Sequence, residues 1–546
     1  MDSYTINLYT IILIVVYLSV IAFLGYIGYK QTKSSQDFMV AGRKIHPLVM
    51  ALSYGATFIS TAAIVGFGGA AANFGMGILW LTFLNIFVGV FIAFVFFGKR
   101  TRKMGHNLDS HTFPELLGKR FNSRFIQIFS GIVIFIFMPI YASSVLRGGV
   151  AFMESFFGMS FEVALLLFVS VVAIYVSMGG LKGVMYTDAF QGSIMFLGMI
   201  FLLIFTYARL GGVVNAHNQL TELFNNSSVQ EQTMNNIQAG FRGWTSMPEF
   251  NSPFWWALVS SIVMGVGIGV LAQPQLVVRF MTVKSNRELN RAVVSGGVFI
   301  LMMTGVAFIM GALSNVIIFE DTNKISVVAV GVDNIIPHYI SNYVPEWFGT
   351  IFLLALLAAG MSTLSSLFHT MGTAIGRDVY QKGFKKKENS LLITRIGLLI
   401  VIVLSTVLTW LSNELDASME IIARGTALFM GLTAATFLPV YVGAIYLKKM
   451  PKASAIGGIV SGFVSSFIWI FFIHSANASS LQLCRLIFGK PFLVQGTSLE
   501  FLSNYDPVII ALPISIVVTA VVWLIYKFNN KKDIDQKHVE KCFKGI

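Results

Sequence analysis

The sequence predicts an all-α protein that crosses a membrane about thirteen times, and three observations carry that prediction. Of its 546 residues 55% are hydrophobic and only 12% charged, with a mean hydropathy of +0.75; soluble domains carry roughly 25% charged residues. Apolar runs of about 20 residues, the length that crosses a bilayer as a helix, recur along the whole chain. The basic residues are concentrated in alternate loops.

Taken in order, the runs lie near 7–29, 47–73, 76–98, 125–153, 160–178, 188–210, 253–278, 293–318, 347–376, 391–411, 420–446, 453–475 and 506–527, and we number them spans 1 to 13. Span 1 follows Met-Asp-Ser rather than a basic stretch, and no small-residue cleavage pattern precedes "KQTKSSQDF", so it is read as a membrane helix and not as a leader. Spans 2 and 7 differ from the rest because glycine and proline interrupt them, in "ATFISTAAIVGFGGAAANFG" and "GVGIGVLAQPQ". With the N-terminus outside, the inner loops are 30–45, 99–124, 179–186, 279–292, 377–390, 447–452 and the tail from Lys527. They hold 30 of the 38 Lys and Arg, while the long outer stretches 211–251, 319–346 and 476–505 hold few. The positive-inside rule then sets the N-terminus outside and the C-terminus inside, in the plasma membrane. The net charge of +13 is thus a matter of topology and calls for no nucleic-acid partner. Cys484 and Cys542 fall on opposite sides and cannot pair, and Asn225 and Asn226 fit the Asn-x-Ser pattern.

Several function classes are excluded. A haem-copper oxidase needs paired histidines within the membrane, and of the eight only His369 is mid-span, with His474 at an outer end. His369 is expected to hydrogen-bond a neighbouring helix. No Gly-x-Ser-x-Gly or His-Glu-x-x-His motif supports a hydrolase, no filter loop supports a channel, and no organic cofactor or protein partner is called for. What remains is transport or sensing.

Interrupted hydrophobic segments at matching places in two halves of a chain point to a transporter site at the membrane midplane. Backbone that leaves the helix there survives only if buried or lining a cavity. In "AAGMSTLSS", Ala359, Ser362 and Thr363 stand at i, i+3 and i+4 and share a helix face. Ala56 and Ile59 in the interrupted span 2 offer backbone carbonyls at similar spacing. These five oxygens, without a carboxylate, suit a monovalent hard cation held loosely enough to be released. The plain alternative for Ser362 and Thr363 is back-bonding to carbonyls one turn earlier. Ser365 and Ser366 are assigned to helix packing.

At these residues the chain resembles the sodium:solute symporter family, from about Tyr26 to Leu447. "AAGMSTLSS" resembles its eighth-core-helix motif, "GGLKGVMYTDAFQG" (Gly179–Gly192) its signature around the fifth core helix, and "AQPQLVVRFMTVKS" (Ala272–Ser285) the segment after its broken sixth core helix. The resemblance implies a sodium site at Ala56, Ile59, Ala359, Ser362 and Thr363, with Asp188 on the inner exit path. It also implies two inverted five-helix repeats, each opening on a broken helix: 47–210 (spans 2–6) and 252–446 (spans 7–11). The remaining parts would be 1–46 with span 1, the outer loop 211–251, and 447–546 with spans 12, 13 and a basic tail. Asp188 has a simpler role open to it, as a helix N-cap.

A solute pocket is expected between the broken helices, at Thr57, Phe58 and Ser60 on span 2, Tyr141 on span 4, and Gly267, Gly269 and Gln273 on span 7. Tyr141 matches an aromatic pocket position of proline symporters. Val266 and Val270 replace aromatic residues of those proteins, and Phe58 falls where they carry an acidic one. "ATFISTAAIVG" is closer to the pantothenate branch. The implied solute is a monocarboxylate or a pantothenate-like organic anion, imported with sodium by alternating access. The alternatives are a sodium/proline symporter and a solute sensor that does not transport. Arg147 and Arg424 are the unusual charges at membrane depth and are candidates for a carboxylate. Each has a nearby carboxylate of its own, Glu154 and Glu420.

Overall fold

The computed structural model describes residues 8–32, 35–43, 45–384, 390–413, 421–529 and 535–546. Helices dominate these residues, and their one β-type contact is an isolated parallel bridge between Ile45 and Val283. Eleven helices are long and apolar enough to cross a membrane. Two shorter apolar helices, Pro47–Phe58 and Phe161–Ile174, lie where the sequence places spans 2 and 5. The expected thirteen separate spans are therefore not all distinct helices of crossing length: span 2 is divided by its own break, and its second part runs on with span 3 as Ala62–Asn107. The expected inner loop 179–186 is helical, within Phe161–Arg209.

Local sequence explains several boundaries. Span 8 is longer than its apolar stretch because a capping box starts it early: Ser285 accepts from the backbone N–H of Glu288, and the Glu288 carboxylate accepts from that of Ser285. The helix then runs Asn286–Thr322 and ends on Asn323 in the left-handed region, φ 54°. Span 4 runs Arg124–Phe157 from a Ser123 cap and carries Pro139 in its interior.

Burial separates a centre from a rim. In spans 9 and 11, 89% of the crossing window is buried, against 22% in span 1, 28% in span 12 and 17% in span 13. Glycines bring the central backbones together. A Cβ on Gly311 of span 8 would stand 1.8 Å from the Gly68 carbonyl of span 2, and one on Gly69 would stand 2.0 Å from the Val332 carbonyl.

The loops gather on two faces. On one, Arg120 donates to the carbonyls of Ala444 and Leu447, Arg102 to that of Lys284, and Asn107 to those of Cys542 and Lys544 in the C-terminal segment. We call this the basic face. Thr112 caps the short helix Phe113–Arg120 there, and Glu115 receives both arms of Arg377 from the end of span 9, at 2.8 and 2.9 Å, with Lys119 at 2.9 Å. On the opposite, loop-rich face, Trp244 from segment 211–251 donates to the Ala72 carbonyl at 2.6 Å and seals the end of span 2.

Candidate functional site

Both interrupted spans break inside their apolar stretches, by different means. In span 2 the helix Pro47–Phe58 stops at Ile59, whose φ of −88° and ψ of 100° are extended. Ser60 then turns the chain back: its carbonyl and its hydroxyl both accept from the N–H of Ala63, and the helix resumes at Ala62. In span 7 the glycine run Gly265–Gly269 stays helical, and the break comes at Gln273, with φ −72° and ψ 115°. Pro274 enforces it, since a residue before proline is driven out of the helical region and proline has no N–H to offer.

Span 9 faces the first break. Ser362 Oγ donates to the Ala56 carbonyl at 2.8 Å and the Ala359 carbonyl at 3.1 Å. Thr363 Oγ1 donates to the Thr57 carbonyl at 3.0 Å and lies 3.4 Å from that of Ala56. Ala56, Ala359, Ser362 and Thr363 are thus brought into one fully buried cluster, with Ile59 buried at the break beside it. Each hydroxyl also carries lone pairs, so with the carbonyls it forms an uncharged oxygen set of the kind a hard monovalent cation takes. The Thr57 carbonyl belongs to this cluster and was not foreseen.

On the basic side of these oxygens lies a buried charge pair. Asp188 Oδ2 accepts from Arg279 Nη2 at 3.0 Å, from Ser53 at 2.8 Å and from Thr57 Oγ1 at 3.3 Å. Arg279 also donates to Ser53 at 3.1 Å, to Ser366 at 2.6 Å, to the Gln275 carbonyl at 2.7 Å and to Thr57 Oγ1. The two side chains are 0% and 1% exposed, so this cluster joins spans 2, 6, 7 and 9 out of contact with solvent. Its second oxygen, Asp188 Oδ1, is buried without a hydrogen-bond partner among the described residues. Sequence reading missed Arg279, which stands in the quoted "AQPQLVVRF" and was counted as a loop charge. It also left Ser366 to packing. The signal was the spacing: Ser362 and Ser366 are one turn apart on the face that meets span 2.

Beside the break in span 2 lies a small chamber. Phe58, Phe67, Tyr141 and Phe308 wall it, Ser60, Asn85, Thr304 and Thr426 supply neutral polar groups, and Val266 and Met430 complete it. Among the described residues, no charged side chain lines it. Tyr141 hydrogen-bonds Ser60 and stacks on Phe429. Of the expected pocket residues Phe58, Ser60 and Tyr141 are here, and Asn85, Thr304 and Thr426 were not foreseen. Thr57 points instead to the Asp188–Arg279 pair. Gly267 and Gly269 are packing positions, where a Cβ would stand 2.8 Å from Leu84 and 2.7 Å from Met430. Gln273 reaches to Thr433 of span 11 at 2.6 Å.

The other singled-out residues lie elsewhere. Arg147 donates to Asn413 and sits over the Phe161 ring, tying span 4 to its neighbours. Arg424 is at the loop-rich end of span 11; Glu420 lies outside the described residues. His369 packs its ring on Phe38, and its Nε2 is buried without a hydrogen-bond partner among the described residues.

Comparison with known proteins bears on what this arrangement is. The sequence is 28% identical over 515 residues to sodium/proline symporter 2 of Staphylococcus saprophyticus, covering 91% of this chain and 92% of that protein. It is also 28% identical over 518 residues to the sodium/proline symporter of Staphylococcus aureus, with the same coverage. In three dimensions it superposes on a sodium-coupled sialic acid symporter, solved in a substrate-bound outward-open state, with a TM-score of 0.71. That match covers 95% of this chain and 98% of the other at 16% identity, a likeness of fold. The sequence profile of the sodium:solute symporter family, a family of transporters rather than enzymes, matches residues 38–462. The chain belongs to the sodium:solute symporter family.

Proposed function

We propose that this protein is a sodium-coupled symporter that imports a small carboxylate-bearing solute across the plasma membrane, with its basic face in the cytoplasm. The observation that carries this reading is the pair of hydroxyls on span 9 aimed at the carbonyls where span 2 breaks, next to an uncharged chamber. Sodium bound at Ala56, Ile59, Ala359, Ser362 and Thr363 ties the broken helix to span 9, which favours one arrangement of the two over others. Solute bound in the adjoining chamber then raises sodium affinity, and sodium raises solute affinity by the same factor. On the basic side, the unpartnered Oδ1 of Asp188 offers the departing ion its next oxygen. The membrane potential adds about 2.3 kcal/mol per charge per 100 mV to the drive.

The chamber's chemistry bears on the solute. With no cationic side chain among the described residues of the lining, a carboxylate is met by the N-terminal end of the helix resuming at Ala62 and by the sodium ion itself. That description fits a monocarboxylate or pantothenate-like anion, the solutes toward which Val266, Val270 and Phe58 point. The second reading, proline, is favoured by the two staphylococcal relatives, which are sodium/proline symporters. Uptake into proteoliposomes under an inward sodium gradient tests both, with labelled pyruvate, lactate, pantothenate, proline and a sugar, and potassium in place of sodium as control. We expect sodium-dependent accumulation of one carboxylate-bearing solute. Accumulation of the sugar alone would overturn the solute class. Binding without accumulation would overturn transport and favour a sensor.

A further inference from the structure

A second chamber lies toward the loop-rich face, with a volume of about 180 Å³. Three helices connect it to the central one. Ile262 lines it one turn from Val266 on span 7, Ala427 one turn from Met430 and next to Thr426 on span 11, and Phe74 two turns from Phe67 on span 2. It therefore lies in line with the central chamber, on the route from the loop-rich face. Unlike the central chamber it is charged: Arg424 and Asp506 both line it, with His474, Asn477, Asn504 and Ser261.

Asp506 is the unusual member. It precedes span 13, at the rim of the molecule, yet it is 4% exposed. Its Oδ1 lies against two glycines of central helices: a Cβ on Gly431 would stand 3.6 Å away and one on Gly265 3.9 Å. A rim element thus places a carboxylate between spans 7 and 11. Its plain role is to cap span 13, since Oδ1 accepts from the Val508 N–H at 3.0 Å. Capping explains neither the burial nor the approach to the glycines, because serine or asparagine caps as well at the surface. The chamber thus presents one cationic side chain and one carboxylate among otherwise uncharged or imidazole polar groups.

We propose that this chamber is a loading site for a zwitterionic solute of amino-acid type, which places its carboxylate toward Arg424 and its ammonium toward Asp506 before passing to the central chamber. This rests on the symport reading above and selects its second solute, proline, since a carboxylate without an ammonium gains nothing from Asp506. The uncharged central chamber cannot make that distinction with its side chains; the outer one can.

The test uses the full chain in proteoliposomes with labelled proline, and with tetrahydrofuran-2-carboxylate, proline's analogue with oxygen in place of the ring nitrogen, as competitor. Asp506→Asn keeps the cap and the volume and removes the charge. It should raise the proline KM about tenfold at unchanged kcat and unchanged sodium dependence, and narrow the preference for proline over the analogue by a similar factor. Arg424→Gln, at an exposed position, should weaken proline and analogue together. An unchanged preference in Asp506→Asn would overturn the proposal while leaving symport standing. So would uptake of pyruvate with none of proline. No uptake of any panel solute would overturn the symport reading and the loading site with it.

Discussion

The two helix breaks both fall inside apolar spans and are built from different chemistry. Span 2 breaks without proline, and the carbonyls of its inner end, Ala56 and Thr57, are met by neutral hydroxyls that a cation can replace as partner. Span 7 breaks at Gln273–Pro274, and the side chains around its break are engaged elsewhere: Gln273 with Thr433, and Arg279, further along, with Asp188. The first break is met by weak, exchangeable contacts, with the buried Asp188–Arg279 pair bonded to Ser53 and Thr57 on its inner side, and the second is enforced by a proline. Location in the membrane alone does not say what a break does. The groups that neighbouring helices aim at it do.

If that contrast is right, the largest effect should come from the ion pair. Arg279→Ala leaves the Asp188 carboxylate buried without its cation, a change that costs about 3–5 kcal/mol. Thermal unfolding in detergent should show a large loss, and the double variant Asp188→Leu with Arg279→Met should recover much of it, because no uncompensated charge remains. A single variant as stable as the parent would mean that the pair is solvated in the working protein.

The next effect lies on the basic face, where a less deeply buried pair joins Glu115 to Arg377. Burial alone would raise the Glu115 carboxyl, but hydrogen bonds from His111 and Arg377 and the charges of Arg377 and Lys119 hold it well below its ordinary 4.5. A depressed carboxylate contributes its stability above the unfolded-state value and loses it as pH falls toward the folded one. The contact of Phe113–Arg120 with span 9 should thus be intact at neutral pH and weaken below about 4.5. Glu115→Gln should lose about 2 kcal/mol at pH 7 and flatten the acid limb of an unfolding profile, whereas an unchanged limb would assign acid sensitivity to other carboxylates.

The third prediction concerns the exchangeable break. Thr363→Ala removes one of the proposed cation's oxygens and leaves the Thr57 carbonyl with nothing more than a lost neutral partner. We expect the sodium concentration for half-maximal uptake to rise about tenfold, equivalent to about 1.4 kcal/mol, with unfolding temperature within a few degrees. Ser362→Ala should act in the same direction. Sodium dependence unchanged in both would remove the cation from this cluster.

Much of this was legible in the sequence, for identifiable reasons. The membrane spans follow from hydropathy, because a bilayer demands long apolar helices whatever the tertiary packing. The break in span 2 was legible from its glycine-rich interruption, and the hydroxyls of span 9 from their shared face together with the family motif, since spacing alone leaves back-bonding to the preceding turn open. The break in span 7 was legible as the stretch "GVGIGVLAQPQ" and falls at its Gln273–Pro274 end, since glycine permits a break but proline compels one; the glycines serve close packing against Leu84 and Met430. Arg279 was missed because a charge near a span's end looks like a loop residue until its partner on another helix is known. Thr304 and Thr426 reach the chamber from spans 8 and 11 through tertiary packing, which no local pattern records.

Gln273 provides the smallest test of the contrast. Its Nε2 donates to Thr433 Oγ1 at 2.6 Å and to the Gly269 carbonyl at 3.2 Å, while its Oε1 accepts from Gln275. If span 7 is a fixed break, Gln273→Ala should cost about 1 kcal/mol of stability, the net worth of a neutral hydrogen bond or two, and leave sodium affinity alone. Proline at 274 would still hold the chain open. If the side chain instead acts on bound solute, uptake KM should rise several-fold with little change in unfolding. The two outcomes separate a residue that joins spans 7 and 11 from one that touches the cargo, and a double variant with Thr433→Val decides between them: additive losses would place the contacts apart, and a loss no larger than either single one would show that Gln273 acts through Thr433.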